Sequence, residues 1–169
     1  MKSNSTRKIA LAGILIAIAV VGSMLSFPVL GSKCSPVQHA VNVIGAVLLG
    51  PWYNVAAAFL ASLIRNLTGL GSPLAFPGSM CGALLSGLAW RALRKVIPTA
   101  CAEIVGTGII GGLAAWPVAK LFMQGAAANA AFYAYIVPFL ISTVVGSVLA
   151  AVLVLALQRA GVLEKLAAQ

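Results

Sequence analysis

Long apolar runs, punctuated by glycine and proline far more than by charge, constrain this chain more than any other feature. The stretches 9–25 and 131–157 contain no Asp, Glu, Lys or Arg at all. Of the 169 residues, 62% are hydrophobic and 8% charged, whereas an ordinary soluble domain carries about 25% charged residues. A water-soluble globule is excluded. A hydrocarbon layer about 30 Å thick takes roughly 20 apolar residues per helical crossing. The length therefore suits about six crossings with short joints, in one membrane domain spanning 1–169.

The expected fold is an all-α integral membrane protein with helices over about 9–25, 37–49, 52–67, 79–93, 100–122 and 131–157. Segment one ends near Phe27-Pro28, because proline restricts its predecessor and lacks an amide hydrogen. Gly31 to Pro36 reads as a short polar connection. Segment two is short for a crossing, so it is tilted or begins below the surface. Gly50-Pro51 breaks it from segment three. The stretch Thr68 to Gly78 holds Gly69, Gly71, Pro73, Pro77 and Gly78, which rules out regular helix, yet Leu70, Leu74, Ala75 and Phe76 make it apolar. Such a loop is expected to fold back into the protein. Gly106, Gly108, Gly111 and Gly112 offer segment five a smooth packing side.

Eleven Lys and Arg against two acids, Glu103 and Glu164, give a formal net charge of +9. The basic residues lie between apolar runs without interleaved aromatics, so membrane topology explains them and nucleic acid does not. Lys2, Arg7, Lys8, Arg91, Arg94, Lys95, Arg159 and Lys165 fall on one side of the six-segment arrangement. Lys33, Arg65 and Lys120 fall on the other. Both termini are thus expected in the cytoplasm. The first apolar run is too long for a signal h-region and has no A-x-A exit, so cleavage is not expected.

Three cysteines without CxxC spacing make a zinc site improbable. Cys81 and Cys101 read as packing residues, while Cys34 sits in a polar connection. No cofactor or metal is expected. A phosphate loop of the GxxxxGK[ST] type is lacking, so the chain cannot itself energise transport with ATP. Neither Glu103 nor Glu164 reads as near the other polar groups, which leaves no carboxylate relay, and no acid accompanies the single histidine for nucleophilic chemistry.

Those polar groups crowd the outer half. Gln38, His39 and Asn42 share one helix face by spacing, as do Ser62, Arg65 and Asn66. Ser79 opens segment four, and Trp116, Asn129, Tyr133 and Tyr135 lie towards the outer ends of segments five and six. Each polar group within hydrocarbon needs a partner or a wet cavity, and convergence from several helices suggests one shared pocket. The plainer alternative is that Arg65 and Lys120 snorkel, the tyrosines form a belt and the amides join helices. His39 reads as a satisfied buried histidine before a metal ligand.

The runs Lys33-Cys34-Ser35-Pro36-Val37-Gln38-His39, Asn42-Val43-Ile44, Leu49-Gly50-Pro51, Ser62-Leu63-Ile64-Arg65-Asn66 and Leu74-Ala75-Phe76-Pro77-Gly78-Ser79 resemble the ThiW family across nearly the whole chain. The resemblance implies a six-helix substrate-binding S component of an energy-coupling factor (ECF) transporter, in a bacterial or archaeal cell membrane. It implies partners as well: a transmembrane coupling protein and two cytoplasmic ATPases. Docking to the coupling protein would use a small-residue stripe on the first helix, best matched by Ala10, Gly13 and Ala17. Hydroxyethylthiazole, the thiazole precursor of thiamin, is the cargo expected first. Its ring could stack on Trp116 or Tyr133. Gln38, His39, Asn42 or Asn66 could hydrogen-bond its nitrogen and hydroxyl, and Ser79 would lie where free amide hydrogens point outward. Arg65 either braces the apolar loop or signals an anionic cargo. The alternatives are the pyrimidine moiety, thiamin itself, or a small membrane enzyme.

Overall fold

The computed structural model describes residues 2–30 and 32–161. Gly31, Glu164 and Lys165, named above, lie outside the described residues. The chain forms α1 (Lys2–Gly22), a 3₁₀ turn, a hairpin of β1 (Phe27–Val29) and β2 (Ser32–Cys34), then α2 (Pro36–Leu49) and α3 (Pro51–Leu67). After these come α4 (Ala75–Leu93), α5 (Val96–Ile104), a π-helical segment (Val105–Gly111), α6 (Gly112–Phe122) and α7 (Ile136–Arg159). The hairpin replaces the simple connection expected at this point. Its strands pair antiparallel, Phe27 opposite Cys34 and Val29 opposite Ser32.

Several helices start earlier than the proline positions suggest. Pro77, Pro98 and Pro138 lie in the first turns of α4, α5 and α7, and Pro36 and Pro51 open α2 and α3. First-turn amides have no intrahelical acceptor, so proline costs nothing there. Segment four accordingly begins at Ala75 instead of Ser79, and segment five at Val96 instead of Ala100. Segment six starts later than expected, at Ile136.

Three helical stretches, Ser5–Leu25, Val96–Phe122 and Ile136–Arg159, are long and apolar enough to cross a bilayer by length and composition. Helix α2 has 14 residues, too few for about 30 Å at 1.5 Å per residue. It occupies the middle of the bundle, packed by α1, α3, α4, α5 and α7. The core is built largely from small residues. Leu15, Ala19, Val41, Ala57 and Ala61 join α1, α2 and α3, while Ala46, Trp90, Ala100, Ala151 and Val154 join α2, α4, α5 and α7. Large aliphatic residues such as Ile14, Ile18, Val148, Leu149 and Val152 face outward, while Ser142, Thr143 and Ser147 on the same α7 face inward. Apolar outside and polar inside is the arrangement a lipid solvent favours.

The stretch between α3 and α4 folds back as expected. Asn66 Nδ2 donates to Ser62 O (2.8 Å) and Ser72 O (3.0 Å), and Gly71 N donates to Arg65 O at 2.8 Å. Leu74 is thereby buried with Ala115, Ala119, Tyr135 and Phe139.

Candidate functional site

Where the hairpin meets the ends of α3, α4 and α7, polar side chains from five elements converge. A cavity of about 40 Å³ is lined there by Gln38 and His39 of α2, Arg65 of α3, Ser79 of α4, Thr107 of the π segment and Phe139 of α7, with further hairpin and loop residues. Small residues let these elements approach. A Cβ on Gly82 would collide with Thr107 Oγ1 and the Glu103 carboxylate, and one on Gly146 would strike Pro36 O and the His39 Cβ.

The donors form one directed chain. Arg65 Nη1 donates to Gln38 Oε1 (3.1 Å), Gln38 Nε2 donates to Asn42 Oδ1 (3.3 Å), and Asn42 Nδ2 donates to Glu103 Oε1 (3.0 Å) and to Ser79 O (3.0 Å). The chain runs from a buried cation to a buried carboxylate through two amides whose orientation it determines. Turning either amide would place donor against donor. Glu103 is 0% exposed. Its Oε1 also accepts from Thr107 Oγ1 at 2.9 Å and lies 3.2 Å from His39 Nδ1. A buried charge without such partners would be costly.

The acid therefore stands at the centre of the cluster, which corrects the expectation that no carboxylate lies near the polar groups or the histidine. The polar start of α2 lies against Glu103, the eighth residue of the helical stretch that begins at Val96. The π segment, one residue wider per turn, carries the Thr107 hydroxyl to within reach of both Glu103 Oε1 and Gly78 O (3.1 Å). Glu103 carried a signal, being an ionisable residue within an apolar helix. Thr107, Ser142 and Phe139 carried none, since such residues are common in membrane helices.

Other named residues lie elsewhere. Asn42 sits directly behind the cavity wall, and Asn66 braces the loop. Ser79 lies inside α4, where its Oγ donates to Ala75 O (2.8 Å) and lies 2.8 Å from Ser62 Oγ, so its amide is not a free helix end. Trp116 Nε1 donates to Ala130 O (3.1 Å), and its ring carries Lys120 Nζ at 4.1 Å. Tyr133 is 59% exposed beside Phe132. The aromatic ring in the cavity wall is Phe139. Cys34 is buried, with its Sγ 3.2 Å from Pro138 O, and Cys81 is half-buried, whereas Cys101, expected to pack inside, is exposed. Ala10, Gly13 and Ala17 all lie on the exposed face of α1. Among the described residues, no group of three or more His, Cys, Asp or Glu is placed to hold a metal ion.

A small cavity with an apolar wall and a few convergent polar groups, set in a helical membrane protein, is the kind of place where a small molecule binds. The chain matches the family model described as thiamine-precursor transporter protein (ThiW) over residues 9–160, and it belongs to that family. No curated protein and no solved structure matches it.

Proposed function

We propose that this protein is the substrate-capture subunit of an ECF uptake transporter and that its cargo is hydroxyethylthiazole. The observation that supports this most directly is the small cavity lined by Gln38, His39, Arg65 and Ser79 in a chain of the thiamine-precursor transporter family. In this reading the chain crosses the cell membrane six times with both termini in the cytoplasm. The cavity opens towards the outside, and Ala10, Gly13 and Ala17 meet the coupling protein, which works with two ATPases. Phe139 takes the packing role against the thiazole ring. Gln38, His39 and Ser79 contact the polar atoms, and Asn42 acts through Gln38 and Glu103. Arg65 holds the Gln38 amide, which accounts for a cation beside a neutral cargo.

Space for about 40 Å³ admits only a few waters, so the walls part when a ring enters. The experiment is a binding titration of the purified protein with hydroxyethylthiazole, the thiamin pyrimidine moiety and thiamin. Preference for the thiazole is expected. Preference for either other compound reassigns the cargo, binding of none removes the capture reading, and turnover of a bound compound would establish a membrane enzyme.

A further inference from the structure

His39 is the only histidine in the chain, and its two ring nitrogens face different surroundings. Nδ1 meets Glu103 Oε1 at 3.2 Å. Nε2 has no hydrogen-bond partner among the described residues, and the residue lines the cavity. Oε1 of Glu103 already receives the Asn42 amide and lies 2.9 Å from the Thr107 hydroxyl. The Asn42 orientation is independently set, because its Nδ2 also serves Ser79 O and its Oδ1 takes the Gln38 amide. A carboxylate offers lone pairs only, so the imidazole must supply the hydrogen between Nδ1 and Oε1. In a neutral ring the other nitrogen, Nε2, then carries a lone pair.

We infer that Glu103 is a positioning residue that holds His39 in its Nδ1–H form, so that Nε2 is the acceptor for a hydroxyl or N–H of the bound molecule. This deepens the capture reading and rests on the cavity being the cargo site. It defines the ligand class: a compound with a hydrogen-bond donor is retained, and its alkylated counterpart is rejected. A polar site left without its partner discriminates strongly against the analogue that lacks the group. For hydroxyethylthiazole the donor is the hydroxyl at the end of its two-carbon arm.

The single histidine makes the test direct. Protein labelled with ¹⁵N-histidine yields ring-nitrogen resonances from His39 alone. At mildly alkaline pH, Nδ1 should resonate as a protonated nitrogen and Nε2 as an unprotonated one. The reverse pattern, or two protonated nitrogens, overturns the inference without any variant. Glu103→Gln keeps an oxygen for the three donors and should preserve the pattern. Glu103→Met removes the acceptor and should shift His39 towards a mixture of both forms. An unchanged spectrum in that variant assigns the form to something other than Glu103.

Titration with hydroxyethylthiazole and its methyl ether reads the contact itself. The ether should bind about five- to a hundredfold more weakly, and the ratio should fall towards one in Glu103→Met. Equal affinities in the unmodified protein overturn the Nε2 contact. If neither compound binds, the capture reading fails and the contact with it, while the spectrum still decides what Glu103 does to His39.

Discussion

Asn54 shows how far a buried amide can be structural. Its Nδ2 donates to Asn42 O (2.9 Å) and Ala83 O (3.1 Å), tying α3 to α2 and α4, and it does not line the cavity. Asn54→Leu removes two buried hydrogen bonds to carbonyls that keep their helical partners, at a cost of about 0.5–1.5 kcal/mol each. Thermal unfolding should show a lower Tm, while cargo affinity measured well below that Tm stays within about twofold. A large loss of affinity at retained stability would place Asn54 among the binding groups. The sequence pointed to Gln38, His39, Asn42, Arg65 and Ser79 because amides and charges stand out in apolar runs. Glu103 does not stand out in the same way, because its partners His39 and Asn42 are about sixty residues away in the chain and helices of different length meet at positions the sequence alone does not pair. Asn54 is equally polar and was not singled out, since nothing in one sequence separates an amide that joins helices from one that faces a ligand.

At the level of elements, helix existence was legible from apolar runs, and helix ends were not. Proline reads as a stop or a start with equal ease, and the bundle uses it mostly as a start. The π segment had no visible signal beyond its glycines, and the hairpin was read as a plain connection because its strands are only three residues each. Helix α1 and helix α4 use glycine in opposite ways. Gly82 lets α4 approach the helix bearing Glu103, and a Cβ there would overlap Thr107 Oγ1, so Gly82→Ala should cost about 1–3 kcal/mol through overpacking. Gly13 has nothing within 4 Å of where a Cβ would stand. Gly13→Ala should leave stability unchanged or raise it by up to about 1 kcal/mol through helix propensity. Thermal unfolding of both variants in detergent checks the contrast, and a comparable loss in Gly13→Ala would mean that the α1 face is covered within the protein.

For the molecule as a whole, large apolar side chains cover the outside of a bundle with a polar interior, in a chain of the thiamine-precursor transporter family. Lys8, Arg91 and Arg94 gather around one cleft with Trp52 and Tyr53, and the proposed topology puts this cleft at the cytoplasmic end. If α1 presents Ala10, Gly13 and Ala17 to a coupling protein, Gly13→Trp and Ala17→Trp should bind cargo normally yet neither co-purify with that subunit nor support uptake. Normal uptake by both variants refutes the docking face. The hairpin adds a gauge of opening to the same molecule. Ser32, Lys33 and Ser35 stand in the cavity wall while Cys34 between them is fastened to α7, where Ser142 Oγ also accepts the Ser35 amide at 2.9 Å. Burial pushes the Cys34 thiol above its ordinary range, a shift that Ser142 partly offsets, so alkylation has to wait for the hairpin to lift. In a Cys81→Ala/Cys101→Ala background, cargo at a hundred times its Kd holds the closed form by about 2.7 kcal/mol and should slow labelling by up to about a hundredfold. The rate at which one native sulfur is consumed would then report the share of time the hairpin stands open, with no dye attached to the protein.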